Sequence, residues 1–265
     1  MKRKKPAAPL TAALIGICIL ITAVIQFWPG SLNTTERAIL FGAYYKAFIC
    51  AGEWHRLLTA GIVHAGLAHL LMNMVSLYIL GGALEPGMNP WKYLLLLCGS
   101  VLGGSVFVFC ISGNTVAAGI SGGLYGLLAS YIYLVWESGV MKIPQVRTGV
   151  IYTLLMNLMI NFMPGVAWQA HLGGAVTGLL ILLSIRSVPS KTELRRNSVI
   201  ALVVLCIAAG AAMKRNASVS KEEAYLLTDI NLLTCESELG FSSYASHMAE
   251  KLDSLYELDY LKKLF

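Results

Sequence analysis

The chain has 265 residues, of which 57% are hydrophobic and only 13% charged, a balance too apolar for a soluble globule. The formal net charge is +6, but the basic residues gather at the ends of apolar runs, where they orient a membrane protein, so the charge does not point to a nucleic-acid partner. Of the 14 acidic residues, only Glu36, Glu53, Glu85, Glu137 and Glu193 fall in the first 193 positions, and the rest crowd into 222–259; this divides the chain into a membrane domain at 1–213 and a polar tail at 214–265.

The first apolar run, Leu10 to Trp28, follows Lys2, Arg3, Lys4 and Lys5. It exceeds the h-region of a signal peptide, and Trp28-Pro29-Gly30-Ser31 offers no Ala-x-Ala cleavage site, so it reads as an uncleaved helix. Further runs near the roughly 20 residues needed to cross a bilayer lie at about 62–84, 91–112, 119–136, 148–163, 168–185 and 198–213. The fold class is therefore an all-α polytopic membrane protein with about seven transmembrane helices. With the N-terminus inside, Lys92, Lys142, Arg147, Arg186, Lys191, Arg195 and Arg196 all fall inside, while the connections at 113–118 and 164–167 carry no charge. That alternation satisfies the positive-inside rule and leaves the tail outside. The segment 29–61 departs from it with Arg37, Lys46 and Arg56.

Of the cysteines, Cys18, Cys98 and Cys206 sit in apolar spans, where a thiol behaves as a small hydrophobe. Cys50 and Cys235 face the same side on this topology, which permits a disulfide without requiring one. The tail carries apolar residues at helical spacing (Tyr225, Leu226, Ile230, Leu233, then Met248, Leu252, Leu255, Leu258, Leu261), as in one or two amphipathic helices. They would rest on the membrane, cap the domain, bind a partner or stay solvated.

Three spans carry polar side chains that are expensive in a bilayer and default to functional readings there. Ser121 stands in Gly119-Ile120-Ser121-Gly122, His171 in Ala170-His171-Leu172-Gly173-Gly174, and His69 lies four residues before Asn73. Taken singly, each has a packing reading: a back-bonded serine, a helix-bridging histidine, an asparagine acting as helix glue. Their conjunction says more. All three spans run from outside to inside, and at 1.5 Å per residue the polar groups fall within roughly 10 Å of one depth near the outer face. Ser121 and Tyr125 share a helix face, as do His69 and Asn73. Gly122-x-x-x-Gly126 and Gly174-x-x-x-Gly178 let two backbones approach closely, as a serine–histidine hydrogen bond demands.

These motifs, with Glu53-Trp54-His55-Arg56-Leu57-Leu58-Thr59, His64-Ala65-Gly66-Leu67-Ala68-His69 and Gly81-Gly82-Ala83-Leu84-Glu85, resemble the rhomboid intramembrane serine proteases over about residues 50–186. The resemblance implies a six-helix core with one added C-terminal helix in a bacterial cell membrane. It implies Ser121 as nucleophile and His171 as general base and then acid. His69 and Asn73 would support the oxyanion beside the Ser121 N–H, with Tyr125 stacked on His171. Gly119, Gly122, His64, Arg56 and Glu85 would play supporting parts. The implied substrates are single-pass transmembrane proteins in the lipid bilayer. No metal or cofactor is required, and no oligomeric state is implied.

The residues themselves suit a pair rather than a triad. No acid neighbours His171 in sequence, so packing on Tyr125 would have to orient its ring. The chain has no His-Glu-x-x-His, and no Asp occurs before Asp229, which argues against zinc and aspartyl membrane proteases. Two other classes stay open. A non-catalytic rhomboid-like binder of client transmembrane helices would typically lack the serine or the histidine. A transporter would want ionisable groups near the midplane or inverted repeats.

Overall fold

In lipid every backbone N–H and C=O must be paired within the protein, so the apolar runs have little choice but to form helices. The computed structural model describes residues 7–186 and 188–265; the basic cluster Lys2, Arg3, Lys4 and Lys5 lies outside the described residues. Among the described residues there are seven long helices: α1 (Pro9–Phe27), α5 (Leu67–Leu84), α6 (Pro90–Ile111), α7 (Ser121–Glu137), α8 (Pro144–Ile160), α9 (Trp168–Ile185) and α10 (Thr192–Arg215). Between α1 and α5 lie three short ones, α2 (Thr34–Leu40), α3 (Lys46–Cys50) and α4 (Arg56–Thr59), and the tail forms α11 (Glu223–Glu238) and α12 (Ser242–Tyr256). Five of the long helices are long and apolar enough to span a membrane. The other two, α7 and α8, have 17 residues each, at the short end of the spanning range of about 17–25. The protein is an all-α, multi-pass membrane protein.

Local chemistry sets the helix boundaries. Proline occupies the first turn of α1, α6 and α8, where its missing N–H is not needed. The start of α8 at Pro144 is four residues earlier than the apolar run indicates, because its first turn, opened by Pro144, carries the polar Gln145 and Arg147. Conversely, α5 starts five residues later than its apolar run. Ala60–Ile62 is a turn of 3₁₀ helix, Val63 is extended, and Gly66 is the extended N-cap.

The helices α6, α7 and α9 form the tightest group, with Leu96, Leu97, Leu124, Leu127, Ile181 and Leu182 in their shared core. At the far end of the bundle from the start of α5, the Glu85 carboxylate accepts from the Leu10 N–H (2.9 Å), the Thr11 N–H (2.8 Å) and the Thr11 hydroxyl (2.7 Å). A negative charge on the unpaired N–H groups of a helix start is a favourable cap, and it ties α1 to α5. Two helices are peripheral. Only Ser198 of α10 and only Val150 of α8 are buried.

At the end where α5, α7 and α9 begin, Tyr44–Tyr45 (β1) pairs antiparallel with Val116–Ala117 (β2). The tail docks on this same end. Leu232, Leu233, Met248, Leu252 and Tyr256 are buried with Ile39, Tyr45 and Phe48 of the first connecting segment, and each fully buried leucine contributes about 1.5–3 kcal/mol. Polar contacts fix the fit. The hydroxyls of Tyr45 and Tyr256 donate to the two oxygens of Asp229 (2.8 and 2.6 Å), Asn231 donates to Glu36 (2.8 Å), and Tyr244 donates to Glu53. Of the roles open to the tail, the structure therefore shows a cap on the first connecting segment. Cys50 and Cys235 are both free thiols in the structure.

Burial pushes the Asp229 carboxyl up to about 6, against the opposing effect of its two tyrosine donors. It pushes Glu236 up to about 7, with the Glu53 charge adding and Arg56 opposing. A raised acid favours the docked state when protonated, so this contribution is complete below the ordinary carboxylate range and is lost as pH rises through about 6 and then about 7. The melting temperature in detergent should therefore be a few degrees higher at about pH 5.5 than at about pH 8, and Glu236→Gln should flatten that difference. A melting temperature that rises with pH would contradict the assignment.

Candidate active site

Ser121 is the first residue of α7. The chain reaches it through Gly119, at φ +115°, a left-handed conformation that a side chain would strain. Gly119 is crowded as well: a Cβ there would lie 2.6 Å from Cε1 of His69. Its N–H donates to the Ala60 carbonyl (2.9 Å), pinning this turn to the first connecting segment. The N–H groups at the start of α7 have no partner within the helix, so they carry the positive end of its dipole next to the Ser121 hydroxyl.

His171 is the fourth residue of α9 and is 6% exposed. Its Nε2 lies 2.9 Å from the Ser121 Oγ. Its ring stacks on Tyr125 with centroids 4.1 Å apart and planes 8° from parallel. Glycine makes this reach attainable. A Cβ at Gly174 would sit 2.0 Å from the Gly122 carbonyl oxygen, and one at Gly178 would sit 2.5 Å from the Gly126 Cα. The backbones of α7 and α9 are thus in contact along the two small-residue pairs. A Cβ at Gly122 would lie 3.3 Å from the Ala170 carbonyl, just before His171.

Because α5 begins at Leu67, His69 is the third residue of its helix, and the three polar positions stand even closer to a common level than the apolar runs indicate. His69 is exposed to a cavity of about 710 Å³ that also touches Asn73, Ser121, Tyr125 and His171. The Asn73 side chain is 5% exposed, and its Nδ2 donates one proton to the His69 carbonyl (2.9 Å). The second proton is free of that bond, and Nδ2 lies 3.7 Å from where a Gly119 Cβ would be. The cavity runs on between α5, at Met72 and Ile79, and α8, at Thr153 and Asn157. It therefore reaches the flank that the loosely packed α8 leaves thinly covered.

Three residues with supporting parts in the sequence reading lie away from the Ser121–His171 contact. Arg56 is buried in the first connecting segment, where its guanidinium pairs with Glu53, donates to the Ile39 and Ala43 carbonyls and lies over the Phe48 ring (4.9 Å). Its role there is to hold that segment together. His64 is fully buried and packs edge-on against His69 (5.3 Å), so it backs the cavity wall without lining it. Glu85 is separated from the site by the 18 residues of α5, roughly 25 Å, and serves as the cap of α1.

One contact is missing from the sequence reading. Asn161, the C-cap of α8, lies with its Oδ1 2.6 Å from Nδ1 of His171. The ring is therefore held by a hydrogen bond as well as by packing, which corrects the expectation that Tyr125 alone orients it. Asn161 lies near the end of the apolar run at 148–163, ten positions from His171 on a different helix, and no spacing rule pairs the two.

Fold and site together define a polytopic membrane protein with a serine–histidine pair at a cavity opening between helices. Residues 51–188 match the Rhomboid domain, and the chain belongs to the rhomboid family. It is 28% identical to rhomboid protease GluP of Bacillus subtilis over 86% of its own length and 45% of that protein's. Similarity extends to rhomboid protease AarA of Providencia stuartii, 27% identical over 70% of this chain and 74% of that one. RHOMBOID-like protein 4 of Arabidopsis thaliana is 32% identical over 53% of this chain and 36% of its own length. The chain thus spans less than half the length of two of these three relatives.

The glycine contact between α7 and α9 yields a direct test. Gly174→Ala must push its Cβ against a backbone oxygen, which cannot swing aside, and should cost about 1–3 kcal/mol with a matching fall in melting temperature. Gly149→Ala on α8, where nothing lies within 4 Å of the added carbon, should be neutral or slightly stabilising. Equal melting temperatures for the two variants would refute the close approach.

Proposed function

We propose that this protein is an intramembrane serine endopeptidase that hydrolyses peptide bonds near the outer end of transmembrane segments of single-pass membrane proteins. The observation that carries the reading is the 2.9 Å contact between the Ser121 Oγ and His171 Nε2 on the wall of a cavity that opens between α5 and α8. In this reading the Ser121 hydroxyl donates to Nε2, and its oxygen attacks the substrate carbonyl as His171 takes the proton. The oxyanion receives the Ser121 N–H at the start of α7, with His69 and Asn73 beside it. His171 then gives its proton to the leaving amine, and a water molecule repeats the sequence on the acyl-enzyme.

The supporting features are mutually consistent. The names of GluP and AarA describe rhomboid proteases, and both the serine and the histidine stand in the matching motifs here. The charge pattern supports an N-terminus inside the cell and a tail on the outer face, with the protein in a bacterial cell membrane. That orientation puts the start of α7 near water, which hydrolysis requires.

Cleavage of a single-pass substrate in liposomes tests the reading. Ser121→Ala and His171→Ala should each abolish cleavage with little change in melting temperature, and Asn73→Ala should slow it by up to about 10²–10³ while Ser121 still labels with a fluorophosphonate. Wild-type cleavage by Ser121→Ala would overturn the assignment. The substrate follows from the same geometry. An intact helix hides its peptide bonds in hydrogen bonds, so the cut segment must unwind. A Gly or Pro introduced a few residues into the outer part of the substrate span lowers helix stability by about 1 or 3 kcal/mol and should accelerate cleavage. A poly-Leu span cut equally fast would show that unwinding does not select the substrate.

A further inference from the structure

Four atoms near His171 form a chain whose donor and acceptor roles are fixed from one end. The Asn157 backbone carbonyl can only accept. It receives the Tyr125 hydroxyl (3.0 Å) and the Asn161 side chain (2.8 Å). The Tyr125 proton is thereby committed to that carbonyl, so the Tyr125 oxygen can only accept at its contact with Asn161 (3.1 Å). Both neighbours on that side of the Asn161 amide demand a donor, so the NH₂ group must face them. Turning the amide over would set its oxygen against a carbonyl oxygen at hydrogen-bond distance. Oδ1 is therefore the atom that faces Nδ1 of His171 at 2.6 Å. A neutral imidazole has one N–H and one lone pair, and an acceptor at Nδ1 draws the proton there. Nε2 is left with its lone pair toward the Ser121 hydroxyl, the arrangement in which that hydroxyl donates.

We propose that Asn161 is a positioning residue that holds His171 in the Nδ1–H tautomer, so that Nε2 is free to take the Ser121 proton. Its side chain comes from the end of α8, a helix with a single buried residue, and not from the packed group that carries Ser121 and His171. The inference rests on the protease reading above. The role is the one an acidic third residue fills in a serine protease triad: holding the tautomer and receiving Nδ1–H when the imidazolium forms. A neutral amide does the same with less charge stabilisation, so its removal should be felt less than the roughly 10⁴-fold loss seen when a triad acid is neutralised.

The test compares the unaltered protein with Asn161→Leu, which keeps the branched shape and removes the acceptor, and Asn161→Asp, which keeps an acceptor for Nδ1–H. Three quantities are measured: kcat and KM on a single-pass substrate in liposomes, the rate of Ser121 labelling by a small fluorophosphonate, and the melting temperature. Labelling reports the reactivity of Ser121 without requiring a substrate helix to enter. Asn161→Leu should lower kcat and the labelling rate together, by about 10- to 100-fold, and leave KM within about two-fold. Asn161→Asp keeps the acceptor at Nδ1 but sets its second oxygen against the Asn157 carbonyl, so it should lower the melting temperature and yet recover part of both rates that Asn161→Leu loses.

Unchanged kcat and labelling in Asn161→Leu would overturn the proposal. So would a change in KM alone, which would make Asn161 a residue of substrate access. Equal losses in the Leu and Asp variants, tracking a lowered melting temperature, would reduce it to a structural role and also overturn it. Failure of the underlying reading looks different: wild-type protein would not label at Ser121, or Ser121→Ala would still cleave.

Discussion

Neighbouring helices usually run with their axes 8–10 Å apart, and serine is too short to meet a histidine across a gap filled by ordinary side chains. The contact between Ser121 and His171 therefore depends on side chains that are absent. Gly122 and Gly126 on α7 face Gly174 and Gly178 on α9, so each helix rests on the other's backbone. Ser100 of α6 closes the remaining space: its hydroxyl donates to the Leu96 carbonyl (2.6 Å), and its Oγ lies where a Cβ on Gly126 or Gly178 would go. A backbone-to-backbone seat of this kind has no rotamers to relax. It sets the geometry of the site more firmly than packed leucines would.

Around that seat, the parts of the site are held in different ways. The turn before Ser121 hangs on the Ala60 carbonyl, and the segment carrying Ala60 is itself braced by the buried Arg56 and by the β1–β2 pair. His69 and Asn73 come from α5, which is anchored at its other end through Glu85 and α1. In contrast, α8 contributes its cavity-facing residues from a helix that packs on little else. Its tie to the site is polar, made by Asn157 and Asn161 at its last turn. Rigid support on one wall and a polar latch on the other suit the proposed function, in which a substrate helix would enter from the side.

Much of this was legible in the residues, and the failures have identifiable causes. The apolar runs locate all seven long helices because lipid leaves the backbone few alternatives. The pairs of polar residues on spans of one direction bring Ser121, His171, His69, Asn73 and Tyr125 around one cavity. The boundaries of α5 and α8 differ from the runs by four or five residues: Val63 is apolar but extended, and the first turn of α8 holds the polar Gln145 and Arg147, which an apolar run leaves out. Asn161 lies inside the 148–163 run, but no spacing rule ties it to His171 on another helix, so its contact is not legible in the sequence. The docking of the tail was equally hidden. Amphipathic spacing in 223–256 says that one face is covered but not by what, and the partners Tyr45, Phe48 and Ile39 read as an ordinary connection.

The tail contacts have a consequence for how the molecule is made. Tyr45 meets Asp229 across 184 positions, Glu53 meets Tyr244 across 191, and Glu36 meets Asn231 across 195. The first connecting segment leaves the ribosome early, yet the groups that cover its apolar side are synthesised after the last long helix. Until α10 has been inserted, Ile39, Tyr45 and Phe48 have nothing to bury them on that side. A chain growing at about 5–20 residues per second leaves them waiting for roughly ten seconds or more. The near end of the protein is completed only by its far end, so an intact cap exists only on a chain that has been translated and threaded through all of its long helices.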